Sequence, residues 1–144
     1  MDIKTIDMSH ADGQAVTEFD LVRKQLREDS KYKKDLLYRG FNGKYIEKLL
    51  LTGQDTNGKY LFCYTEAEIL EGTSEGDSDN SGPFEYVTDY KLGAIAVFDS
   101  KHLKNYTSYA YEFKNPNKKL EALVAVYILD YSKGYDNSSY INRD

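Results

Sequence analysis

Two apolar runs late in the chain set the terms of the fold. Leu92-Gly-Ala-Ile-Ala-Val-Phe98 and Leu120-Glu-Ala-Leu-Val-Ala-Val-Tyr-Ile-Leu129 are both far shorter than the roughly 20 apolar residues that span a bilayer. Their β-branched and aromatic content favours buried strands. The first reads as a buried strand. The second, the most apolar run in the chain, reads as a central strand, although residues 120–124 could begin as helix. Strands of this kind need layers on both faces, and the earlier part of the chain supplies candidates.

Between residues 15 and 28, Val16, Phe19, Val22 and Leu26 fall on one side of a helix, Arg23, Lys24 and Arg27 lie elsewhere, and Leu21 is a misfit. Residues 35–40 (Asp35-Leu-Leu-Tyr-Arg-Gly40) read as a short strand that stops at a glycine. Asn42-Gly43 introduces a second helix over residues 44–51, with Ile46, Leu49 and Leu50 on one face and Gly53 just past its end, where a left-handed cap suits glycine. Tyr60-Leu61-Phe62-Cys63-Tyr64 is a strand by composition, and Thr65 to Glu68 makes a T-x-x-E capping box that opens a short helix. Tyr109, Tyr111 and Phe113 alternate with Ala110 and Glu112, the period of a strand with an aromatic face. Asn115-Pro116-Asn117 turns the chain. Helices early and strands late predict an α+β fold, with N-terminal helices packed on a mixed, mainly antiparallel sheet.

A chain of 144 residues predicts a single domain over 1–144. Residues 1–14 and 132–144 are polar and expected to fray. Residues 71–86 carry glycine, serine and acid with no lysine or arginine, and are expected to form a mobile acidic loop.

The net charge of −5 removes the counterion-release term that drives binding to polyanions, so nucleic acid is disfavoured as a partner unless a local basic patch exists. The single cysteine, Cys63, forms no internal disulfide. The opening Met-Asp-Ile-Lys-Thr lacks the apolar core of a signal peptide, and no run is long enough to cross a membrane; a cytoplasmic location is expected. Cys63, His10 and His102 have none of the spacings of a zinc site, and no metal is expected. Asp77-Ser-Asp-Asn-Ser-Gly82 imitates the start of a calcium loop, but its twelfth position is Thr88 where a bidentate glutamate belongs. Phosphate-cradling glycine motifs and the G-x-S-x-G nucleophile turn are absent. Fourteen tyrosines fit either a half-buried sheet or an aromatic binding surface.

Three segments in order resemble the ADP-ribosyltransferase superfamily. Leu37-Tyr38-Arg39-Gly40 is a strand ending in arginine before a helix. Tyr60-Leu61-Phe62-Cys63-Tyr64-Thr65 is a strand running into a short helix. Lys119-Leu120-Glu121-Ala122-Leu123-Val124 places a glutamate at the start of a late strand. The resemblance implies an ADP-ribosyltransferase-like fold, spanning roughly residues 36–129, and an enzyme that cleaves or transfers from NAD as its substrate, with a protein as possible target. Arg39 would hold the diphosphate or ribose through its planar fork. Thr65 would orient the acid, and Tyr60, Phe62 or Tyr64 would stack on nicotinamide. Glu121 would be catalytic, stabilising positive charge as the glycosidic bond breaks. The chain departs from the family pattern in lacking a Ser-Thr-Ser triplet and in having Lys119 two residues before Glu121; Glu112 competes for the acidic role. The alternative reading is a small non-enzymatic protein, such as a phage or mobile-element factor that binds a host protein through the row Tyr109, Tyr111 and Phe113.

Overall fold

In the computed structural model, which describes residues 1–8, 15–30, 35–71 and 92–130, the late apolar runs lie side by side at the centre of a sheet. The strands are β1 (Asp2–Asp7), β2 (Leu36–Asn42), β3 (Leu61–Phe62), β4 (Tyr64–Thr65), β5 (Leu92–Asp99), β6 (Leu103–Thr107), β7 (Ala110–Phe113) and β8 (Leu123–Asp130). The helices are α1 (Ala15–Ser30), α2 (Ile46–Thr52) and α3 (Glu66–Glu71). A five-stranded sheet runs β1-β8-β5-β2-β4, and a three-stranded sheet runs β3-β7-β6. Every pairing is antiparallel except β1 with β8. The fold is therefore α+β with a mixed, mainly antiparallel sheet, as the order of elements predicts.

Strand alternation sorts the core into two faces. Leu36 and Tyr38 of β2, Ile95 and Val97 of β5, and Ala125, Tyr127 and Leu129 of β8 pack against Val22 and Leu26 of α1, Ile69 of α3 and Met8. Leu37 and Phe41, Ala94, Ala96 and Phe98, and Leu123 and Val126 point the other way, against Leu49 of α2 and Leu61, Leu103 and Phe113 of the small sheet. A bulge reconciles β5 with β8: Val97 faces Ala125 but Phe98 faces Leu123, so Val124 is the extra residue. That single insertion keeps Leu123 on the same face as Val126, where strict alternation would turn it away.

Local chemistry explains most element ends. Asn42 accepts a hydrogen bond from the Lys44 amide and starts a 3-10 turn, Gly43–Tyr45, ahead of α2. Gly43 sits where an added Cβ would lie 2.2 Å from the Leu92 carbonyl oxygen, so only glycine allows β5 to start so close. Gly53 ends α2 at φ 85°, its amide bonded to the Leu49 carbonyl. Thr65 and Glu68 form the expected reciprocal capping box: the Thr65 amide donates to Glu68 Oε1 (2.8 Å) and the Glu68 amide donates to Thr65 Oγ1 (3.3 Å).

Four elements depart from the sequence-based expectation. Asp2–Asp7, expected to fray, forms β1 in register with residues 125–130; its pairing is parallel and long-range, so no local signal marks it. The expected strand over residues 60–64 divides at Cys63, with β3 joining the small sheet and β4 the large one. Residues 103–107 form β6, an element with no counterpart among the sequence-based expectations. Residues 120 and 121 belong to a 3-10 turn, Pro116–Glu121, and β8 begins at Leu123. The expected acidic loop, the calcium-like motif and the polar C-terminus lie outside the described residues.

Arg23 and Arg27 of α1, expected on the polar side, reach across to α3. Arg23 is buried and its Nε donates to the Ile69 carbonyl (3.1 Å), while Arg27 Nη2 donates to the Leu70 carbonyl (2.6 Å). These carbonyls lie in the last turn of α3, where a helix leaves acceptors without internal donors and favours positive charge. Asp29, near the end of α1, accepts from Lys4 Nζ (2.8 Å) and from the Tyr127 hydroxyl, clasping α1 to β1 and β8. Burial pushes the Asp29 carboxyl upward, but the hydrogen bonds from Lys4, Tyr127 and Gln25 and the Lys4 charge outweigh it and hold the group below its ordinary value. A carboxyl that is more acidic in the folded state adds stability above its unfolded pKa and loses it as pH falls through the folded value. Asp29→Asn is expected to destabilise the protein by about 1–2 kcal/mol at neutral pH. In urea unfolding series, the gap between variant and parent should close below about pH 4.

Candidate functional site

β2 carries Leu37, Arg39 and Phe41 on one face, so a guanidinium stands between two core side chains. A charge there needs a partner. Asp55, in the loop after α2, supplies it: Arg39 Nε donates to Oδ1 at 2.8 Å and Nη2 to Oδ2 at 3.1 Å. The Asp55 side chain is 3% exposed and that of Arg39 17%. Arg39 Nη1 also donates to the Phe62 carbonyl at 3.1 Å. A guanidinium has five N–H bonds; these contacts use three and leave one on each terminal nitrogen.

The Asp55 loop is tightly held. Gln54, 2% exposed, donates through Nε2 to the Gly58 carbonyl (2.8 Å) and accepts from Lys119 Nζ (2.8 Å). A Cβ on Gly53 would lie 2.8 Å from the Lys119 carbonyl carbon, so the loop rests directly on the turn that carries Glu121. Three consecutive residues, Gly53 to Asp55, thus touch both the arginine strand and the glutamate turn.

Beside this pair lies a cleft of about 280 Å³, lined by Arg39, Asn42, Lys44, Tyr45, Asp55 and Thr56, with backbone from Gly40 and Phe41. Lys44 Nζ lies 5.1 Å from the centre of the Tyr45 ring, and Tyr45 is 37% exposed. Arg39 and Lys44 thus line the cleft together with the buried Asp55 carboxylate and the partly exposed Tyr45 ring.

The other residues expected from the sequence fall nearby but in separate places. Thr65 faces Leu37 across β4 and β2, Leu37 faces Phe98, and Phe98 faces Leu123, so one row of the sheet runs from Thr65 to two residues past Glu121. Thr65 borders a second hollow of about 320 Å³ with Asp35, Leu37, Glu66 and Ser100, and its hydroxyl is engaged in the α3 cap. Glu121 is 56% exposed beside Lys118 at 4.0 Å and lines neither hollow. Tyr60 stacks on Tyr106 and Tyr64 packs on Tyr109, each pair 4.7 Å between ring centres. Phe62 is 54% exposed. The aromatic row on β7 is divided: Tyr109 is exposed, Tyr111 is half-buried and Phe113 is 8% exposed in the core. Glu112 lies opposite Lys104 of β6. Among the described residues no cluster of three or more His, Cys, Asp or Glu could hold a metal ion, and no helix is long and apolar enough to cross a membrane.

Asp55, Lys44 and Tyr45 were not singled out by sequence reasoning. Asp55 looked like any acid in the turn cluster Asp55-Thr56-Asn57-Gly58, and only its pairing with a core-facing arginine gives it meaning. Cys63 is fully buried on the same side as this pair, and burial pushes its thiol up to about 12 against the lowering effect of Arg39. No family model, curated protein or solved structure matches the chain.

Arg39→Ala strands a nearly inaccessible carboxylate and is expected to cost about 3 kcal/mol. Asp55→Ala should cost less, since Arg39 still reaches the open cleft; chemical denaturation of both variants checks the order. Cys63 is expected to resist thiol reagents at pH 8 in the native protein and to react fully once unfolded.

Proposed function

We propose that the chain uses NAD as a substrate, cleaving its nicotinamide–ribose bond as an ADP-ribosyltransferase-like enzyme. The observation that carries this reading is the cleft at Arg39: a guanidinium fixed in orientation by Asp55, with two N–H bonds not engaged among the described residues, sharing the cleft with Lys44 and Tyr45. A planar fork and a lysine suit a diphosphate, and a half-exposed tyrosine suits an aromatic base or nicotinamide ring. The cleft volume is near the lower end for small-molecule sites and accommodates part of a dinucleotide. The motif order and the ADP-ribosyltransferase-like architecture it implies belong to the same proposal.

In this scheme Arg39 and Lys44 hold phosphate oxygens and Tyr45 stacks. Glu121 stands outside the cleft, on the turn against which Gly53 rests, and would act on the part of the dinucleotide that extends beyond the cleft. Its carboxylate would stabilise the positive charge that develops on the ribose when nicotinamide leaves with the electron pair of the broken bond. A nucleophile on a target protein, or water, then takes the ribosyl carbon. Thr65 supports the neighbouring strand. Asp55 is a positioning residue that sets the plane of the Arg39 fork.

Calorimetry with NAD, together with a nicotinamide-release assay, tests the reading. Lys44→Ala, at a position away from the core, is expected to weaken NAD binding about tenfold. Glu121→Gln should retain binding and lose nicotinamide release. Absence of both binding and release in the parent protein rejects the proposal. Unchanged release in Glu121→Gln removes Glu121 from its role and turns attention to Glu112.

A further inference from the structure

Among the described residues, the outer face of the three-stranded sheet gathers exposed aromatic side chains that the core does not use. Leu61, Cys63, Leu103, Tyr111 and Phe113 turn inward. By alternation, Tyr60 just before β3, Phe62 of β3, Glu112 of β7 and Lys104 and Tyr106 of β6 turn outward. Phe62 is 54% and Tyr106 59% exposed, and Tyr106 stacks on Tyr60 across the sheet. Large apolar side chains are seldom clustered on a surface without a use.

Charge on and around this face differs from that of the whole chain. Between Ser100 and Leu120 there are five lysines and one acid, Glu112, in a protein whose net charge is −5. Lys59 lies 5.5 Å from the Tyr60 ring centre. Lys104 stands opposite Glu112, and Lys114 continues the outward set of β7, its amide bonded to the His102 carbonyl. Three cations therefore flank the rings against one carboxylate.

We propose that this face binds single-stranded nucleic acid. Flat rings offer stacking surfaces to unpaired bases, and flanking lysines meet the phosphates that join them. Stacking needs unpaired bases, so a duplex is excluded by the same geometry. Glu112 lies under the bases, where its carboxylate can accept from exocyclic amino groups while standing apart from the phosphates. The local lysines answer the objection raised by the net charge, because counterion release depends on the cations at the contact. The proposal is independent of the NAD reading, since the cleft at Arg39 lies on other residues.

Fluorescence anisotropy with labelled oligothymidylate and oligoadenylate of about 15 nucleotides, read against the same sequences as duplex, tests it. The single strands are expected to bind at low salt, with affinity falling roughly eighteenfold between 50 and 200 mM salt if three phosphates are neutralised. Phe62→Ala combined with Tyr106→Ala should weaken binding at least about tenfold. Lys59→Glu with Lys104→Glu, both at exposed positions that leave the core intact, should weaken binding and flatten the salt dependence. Failure of any single strand to bind at low salt overturns the proposal and leaves the face to a protein partner. Duplex binding of equal strength, or binding unaffected by both double variants, also overturns it.

Discussion

A positive charge placed on a core-facing strand position requires a fixed negative partner, and the Arg39–Asp55 pair meets that requirement. The two-point contact does more than neutralise the charge. It orients the guanidinium plane and pins the loop after α2 against β2. It also brings Gly53 and Gln54 onto the turn that leads into β8. Both partners of that contact line the cleft.

The opposite face of the sheet is organised by a second polar contact of a different kind. Asp29 gathers Lys4 and the Tyr127 hydroxyl at the rim, joining the sheet edge to the helix that covers it. This contact is partly open to water, and it orders an edge strand with little apolar content of its own. β1 is exposed along most of its length. Its charged residues and its parallel pairing to β8 close one side of the sheet without creating a sticky edge.

Two surfaces of different chemistry result. One is a concave cleft lined by Arg39, Lys44 and Asp55 beside the loop after α2. The other is a flat aromatic face on the small sheet, which can stay exposed because its inward side chains already fill the space above Ala94, Ala96 and Phe98. The small residues at positions 94 and 96 let the second sheet approach closely, and Phe98 meets Phe113 edge-on. Tyrosine abundance thus serves both roles considered from composition: Tyr38 and Tyr127 are core, while Tyr60 and Tyr106 look outward.

Where the controlling interaction is local, the sequence alone determined the outcome. The Thr65–Glu68 capping box, the left-handed glycine at position 53 and the buried strand over residues 92–98 rest on contacts within a few residues or on a run of one polarity. The α+β class follows from the same signals. Arg39 was expected at the end of a strand that stops at Gly40, but β2 runs on to Asn42 and places it mid-strand, and its partner lies 16 residues away in a turn that looked ordinary. Only the tertiary structure decided the division at Cys63, the parallel pairing of β1 and the inward turn of Phe113. It also decided that Glu121 stands on an exposed turn outside the cleft. Each depends on which strands meet across long stretches of chain. Strand pairing draws on backbone groups common to every residue, so side-chain sequence marks it only faintly until a core forms around it.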